Sequence, residues 1–121
     1  IQSKYFLNTA ASLIHRSISE MVKFVSHYGG KPETVYGLAG LGDLYVSAIG
    51  GRNSLMGKYL GEGYLYNYAK EKFMQNVTVE GAQLALEIGP RILEDLDNKN
   101  FPLMFNMLST ICENKKLEIN W

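Results

Sequence analysis

One cysteine, three prolines, one tryptophan and no net charge leave little room for several classes of protein. Cys112 alone excludes an intrachain disulfide and fits a reducing compartment, so the expected location is the cytoplasm. Twelve basic residues balance twelve acidic ones, so no global field draws the chain to nucleic acid or a membrane surface. No apolar run approaches the roughly 18 residues of a membrane span, and no signal-peptide pattern is present. Asn76-Val77-Thr78 spells a glycosylation sequon, which is idle in a chain that is not secreted. Alternating strand patterns are missing as well, and Val77-Thr78-Val79 is too short to make one. No repeat, low-complexity tract or linker interrupts the chain.

What is present is helical periodicity. The 121 residues, 46% hydrophobic and 20% charged, suffice for one domain with its own core. Between Thr9 and His27, the residues Ile14, Ile18, Met21, Val22 and Val25 recur at steps of three and four, predicting one buried stripe. Asn8 stands where an N-cap belongs, and Gly29-Gly30 offers a left-handed stop. Pro32-Glu33-Thr34 can open a short helix. Gly37 to Gly42 is too glycine-rich for a helix interior and reads as a tight turn of close backbones before a helix from Asp43.

Gly50-Gly51 then breaks the chain and presents Arg52 and Asn53 ahead of a helix over 54–60. Further helices are predicted at 64–73 and 82–96, with Pro90 kinking the second or ending it near Ile88. Pro102 opens the last, its core face Leu103, Met104, Met107, Leu108 and Ile111. The expected fold is all-α: six or seven helices in a single domain spanning 1–121. Leu117 to Trp121 fit no element. Ile1 stands where an initiator Met would, and helix is already strong from Thr9, so the chain is expected to begin inside a longer protein.

Few residues carry chemistry. Asp43 follows a glycine at a helix start, where a carboxylate caps backbone N–H groups and can also hold a lysine or a hydroxyl. Arg52, behind two glycines and beside Asn53, suits bidentate phosphate contact; its plain alternative is a solvated loop arginine. The glycine run lacks the Gly-Lys-Ser/Thr ending of a phosphate loop and does not follow a strand. Glu80 before Gly81 reads as a first-turn glutamate favoured by the helix dipole. His15 and His27 have no third ligand, and Cys112 reads as core packing. The tyrosines at 59, 64, 66 and 68 read as helix packing rather than a base-stacking platform. No nucleophile–base pair and no carboxylate dyad emerges.

Gly37 to Leu44, Gly50-Gly51-Arg52-Asn53 and Val79-Glu80-Gly81 resemble, in that order, the C-terminal half of NAD(P)-dependent glycerol-3-phosphate dehydrogenases. Asn8 to Met21 is similar to that domain's first long helix, Pro32-Glu33-Thr34 to its Pro-x-Thr, and Phe101-Pro102-Leu103 to the start of its final helix. The resemblance implies a multi-helix domain like the 6-phosphogluconate dehydrogenase C-terminal domain, preceded in the parent chain by a Rossmann domain that holds NAD or NADP. It implies a small phosphorylated substrate, oxidised or reduced at C2, and a homodimer.

By the same resemblance, Asp43 orients the catalytic lysine and the substrate, and Ser47 sets a hydroxyl near the substrate. Gly51, Arg52 and Asn53 meet the phosphate, with Arg52 also near the cofactor, and Glu80 reaches the cofactor. The family's lysine, in a Lys-Asn pair, falls upstream of this chain, and Lys4 is too close to Asn8 to be it. The chain departs from many bacterial members in three places: Gly51 replaces a serine, Ser54 a basic residue, and the loop from Asp43 to Arg52 is shorter. Alone, the chain is expected to be catalytically silent. The alternative is a dehydrogenase-related protein that binds a phosphorylated metabolite without catalysis.

Overall fold

The computed structural model describes residues 6–119. The readings of Ile1 and Lys4 and the end of the tail, Asn120-Trp121, lie outside the described residues. Seven α-helices and one π-helical turn are present, with no strand among the described residues, as the periodicity predicts. The chain divides into two compact units at Gly50–Gly51.

In the first unit, helix α1 (Leu7–His27) packs with the one-turn helix α2 (Pro32–Val35) and with the π-helical turn Leu38–Gly42. Helix α3 (Asp43–Ile49) follows without a break. The end of α1 is set by Gly29 at φ +82°: Gly30 N–H donates to Val25 O at 2.8 Å and Gly29 N–H to Ser26 O at 3.1 Å. That is the paired bonding expected of a glycine stop. The start of α1 differs from expectation. Its cap is Phe6, with no side-chain bond, and Asn8 lies inside the first turn. The predicted stripe is half-buried rather than buried; the one buried residue of α1 is Glu20.

The glycine run is wound rather than a plain turn, with Gly42 N–H reaching back five residues to Gly37 O at 3.2 Å. The close approach it was read for is real. A Cβ on Gly40 would stand 2.1 Å from Val35 O, so no side chain fits there.

The second unit holds α4 (Arg52–Gly61), α5 (Tyr66–Phe73), α6 (Glu80–Asp95) and α7 (Pro102–Cys112). Helix α6 lies along α7, and α4 contacts both α5 and α6. Met56, Leu60, Tyr66, Ala69, Met74, Val79, Ala82 and Ile111 form the core, with Leu117 of the tail packed against it. Pro90 neither ends α6 nor limits it to Ile88; the helix runs unbroken to Asp95. Packing decides this. At Gly89 a Cβ would stand 2.8 Å from Cys112 Sγ and 3.0 Å from Leu108, so α6 and α7 approach too closely for the helix to unwind cheaply. On α7, Leu108 and Ile111 are buried as read, Leu103 and Met104 are half-buried, and Met107 is exposed. Thr110 is buried too, its hydroxyl donating to Asn106 O at 2.8 Å.

The tyrosines do pack among themselves. Tyr66 is in the core, Tyr59 stacks on Phe73 with ring centroids 4.5 Å apart, and Tyr64 stacks on Tyr68 at 5.6 Å. The Cys112 thiol donates to Ala85 O at 3.3 Å. Burial, then the Glu113 charge, pushes its pKa up, which keeps it a protonated packing group.

Candidate functional site

Two helix starts meet in the second unit. Gly50 is extended, and Gly51 at φ +101° turns the chain so that α4 begins at once with Arg52 and Asn53. These two residues are therefore the first turn of a helix rather than a loop before one. Neither α4 nor α6 is capped by the side chain of its own N-cap residue, Gly51 and Val79 respectively. The missing cap of α6 comes from α4: Asn53 Oδ1 accepts the Gly81 N–H at 3.0 Å, across 28 residues of chain. A helix start leaves several N–H groups unpaired, so this bond fills an obligatory vacancy.

The same bond fixes what Asn53 can offer. With Oδ1 engaged, its remaining hydrogen-bonding capacity is chiefly the Nδ2 donor pair. Beside it, Arg52 Nη2 donates to Glu80 Oε1. Glu80 lies in the first turn of α6, as read, where the helix dipole favours a carboxylate. The ion pair is open to water, its side chains 54% and 56% exposed. Below, an apolar cavity of about 320 Å³ lies among Asn53, Met56, Leu60, Val79, Ala82 and Ile111.

Gly81 is not among the residues singled out by chemistry. Its signal is a glycine in a first helical turn, where most residues would serve better. The fold supplies the reason. A Cβ there would stand 3.1 Å from Asn53 Oδ1 and 3.4 Å from its Nδ2.

Asp43 and Ser47 belong to the first unit, one turn apart on α3 and so on one face of it. Asp43 is exposed and Ser47 half-buried. Asp43 does not cap a helix start. The π-helical turn runs straight into α3, and the Asp43 N–H already bonds back to Leu38 O and Gly40 O, so no helix end exists there to cap. The structure thus gathers Arg52, Asn53, Glu80 and the Gly51 turn at one corner of the second unit, and Asp43 with Ser47 on one helix of the first. His15 and His27 are both exposed, and no group of His, Cys, Asp and Glu able to hold a metal ion occurs among the described residues. No described helix is long and apolar enough to cross a membrane.

An all-helical chain with this corner matches, over residues 2–119, the family described as NAD-dependent glycerol-3-phosphate dehydrogenase C-terminus. The chain belongs to that family. It is similar to a protein of Xanthomonas oryzae named glycerol-3-phosphate dehydrogenase [NAD(P)+], 42% identical over 84 residues, covering 68% of this chain and 24% of that protein. A Zymomonas mobilis protein of the same name is 37% identical over 108 residues, 88% of this chain and 29% of the other. One from Acholeplasma laidlawii is 50% identical over 58 residues, 46% of this chain and 18% of the other. The chain spans about a quarter of the length of the first two. No solved structure matches it.

Proposed function

We propose that this chain is the substrate-binding C-terminal domain of an oxidoreductase that interconverts sn-glycerol 3-phosphate and dihydroxyacetone phosphate with NAD(P)(H). The observation that carries the reading is the donor pair at the start of α4: Arg52 and, beside it, Asn53 with its acceptor oxygen already engaged. A guanidinium and an amide NH₂ side by side suit the acceptor-only oxygens of a phosphate. Arg52, Asn53 and the Gly51 backbone bind that phosphate. Asp43 orients the substrate and the family's catalytic lysine, which the resemblance places upstream of Asn8 in a Lys-Asn pair, since a carboxylate nearby helps set the pKa of a proton-transferring amine. Ser47, one turn further along α3, offers its hydroxyl to the substrate.

The dinucleotide, when bound, accepts or supplies the hydride. The described residues contain no strand, and hence no strand–turn–helix cradle for its pyrophosphate. Its binding is assigned to the Rossmann domain, with Arg52 and Glu80 approaching it from this side. The isolated chain is accordingly inactive. A homodimer, as the resemblance implies, and a cytoplasmic location, which the single cysteine fits, complete the reading.

The test is oxidation of NADH and NADPH by the full-length protein with dihydroxyacetone phosphate, beside Arg52→Ala. A lost charge-assisted contact predicts a rise in KM of roughly ten- to a hundredfold. A folded, cofactor-binding parent without turnover would instead favour a non-catalytic relative that binds a phosphorylated metabolite.

A further inference from the structure

Helix α6 contains two glycines, and they meet different neighbours. A Cβ on Gly89 would run into Cys112 Sγ at 2.8 Å and Leu108 at 3.0 Å, within the packing of α6 on α7. The three atoms nearest a Cβ on Gly81 all belong to the Asn53 carboxamide: Oδ1 at 3.1 Å, Cγ at 3.3 Å and Nδ2 at 3.4 Å. Asn53 is exposed, and this amide is the free end of its side chain, so it can turn aside at little cost to the fold. Packing therefore accounts for Gly89 and not for Gly81. Alanine is the better helix former, so position 81 forgoes some helix stability. What a side chain there would disturb is the direction of the Asn53 amide. The Gly81 N–H donates to Oδ1 at 3.0 Å, and the reverse amide orientation would set NH₂ against N–H, two donors face to face. Bare glycine lets the amide lie against the α6 backbone with its oxygen engaged and Nδ2 as the group it offers.

We propose that Gly81 is a positioning residue for the ligand's phosphate: acting through Asn53, its N–H and its missing side chain hold the carboxamide so that it presents donors, and not an acceptor, to the anion. A phosphate oxygen only accepts, so an amide turned the other way would repel what this one binds. Position 81 thus serves the site at the expense of the helix. This inference rests on the reading of Asn53 as a phosphate ligand.

The experiment titrates inorganic phosphate into the full-length protein as wild type, Gly81→Ala, Asn53→Ala, Asn53→Asp and the Asn53→Ala/Gly81→Ala double variant, with a thermal melt of each. Gly57→Ala in α4 is the control, since a Cβ there meets nothing within 4 Å; it should bind phosphate as wild type does. Gly81→Ala is expected to bind about three- to tenfold more weakly, the equivalent of one neutral hydrogen bond, while melting no lower than wild type. Its KM for dihydroxyacetone phosphate should rise by a like factor. Asn53→Asp keeps an acceptor for the Gly81 N–H but replaces the donors with a charge, so it should melt as wild type and bind at least about tenfold more weakly. In the Asn53→Ala background Gly81→Ala should have no further effect on binding, because no amide is left to position. Wild-type binding by Gly81→Ala, with both Asn53 variants impaired, overturns the positioning role and leaves the phosphate reading standing. A Gly81→Ala effect that persists without the Asn53 amide, or that comes only with a lowered melting temperature, also overturns it. Wild-type binding by Asn53→Asp and Asn53→Ala overturns the reading beneath it.

Discussion

The two units of this chain are built on different terms. The second surrounds a core of eight buried residues drawn from all four of its helices and the segment between α5 and α6, including Leu60 and Met74 at 1% exposure. In the first, Val35 and Gly40 are the buried non-polar residues among those described, and α1 buries only Glu20. The apolar stripe of α1 is half-buried, and several other apolar side chains face outward: Leu38 is 91% exposed, and Tyr45, Val46 and Ile49 about two-thirds. Amphipathic patterning is therefore a statement about what a helix could bury, and not about whether its own unit supplies the surface to bury it against. The second unit meets that demand internally, and the first meets it in part. Local stability should follow, since openings are easiest where few apolar contacts are buried.

The largest break in this contrast is expected from Leu60→Ala. Truncating a fully enclosed side chain should cost about 2–5 kcal/mol, read by denaturant unfolding and by lost amide protection across α4 to α7. A loss below about 1 kcal/mol would mean that the second unit lacks the tight core described. Gly40→Ala probes the other unit. Its new methyl group would meet the Val35 backbone, which cannot move aside as a flexible side chain can. A cost of about 1–3 kcal/mol or more is expected, confined to the amides of α1, α2 and the π-helical turn. Equal loss of protection in α4 to α7 would show that the two units unfold as one.

The smallest effect concerns the turn between α6 and α7. There Asp97 accepts from the Asn100 backbone at 2.8 Å and from its side chain at 3.0 Å. The Asn100 side-chain bond first, and then the backbone bond, hold the Asp97 pKa below its ordinary value of 3.8. A depressed carboxylate contributes stability above its unfolded pKa and loses it as the pH falls through the folded value. Wild type and Asp97→Ala should therefore differ slightly at neutral pH and converge in acid well below 3.8, in paired thermal melts. A difference unchanged across that window would deny the turn its carboxylate.

Much of this fold is legible residue by residue. Gly29-Gly30 ends α1, and Pro32 and Pro102 each open a helix, because fixed or left-handed backbone angles act locally. Other signals yield to packing. Pro90 removes one N–H from α6, but burial against α7 outweighs that loss. Asn8 offers a cap that α1 passes over by starting one residue before it. At the site, Arg52 and Asn53 announce an anion's partner, whereas their own partners lie 28 residues on and follow no local spacing. A similar long-range cap closes α5: Asn114, at φ +51°, accepts the Asn67 N–H at 3.0 Å from 47 residues away.

The amino-acid sequence by itself determined the helical class, most helix ends and the residue types at the anion corner, because periodicity, glycine and proline act within a few residues. Only the tertiary structure decided that Asp43 caps nothing, that Asn53 turns its oxygen to Gly81, and that Glu80 lies on Arg52. Each of those depends on where a second backbone segment comes to rest, and that position is set by packing.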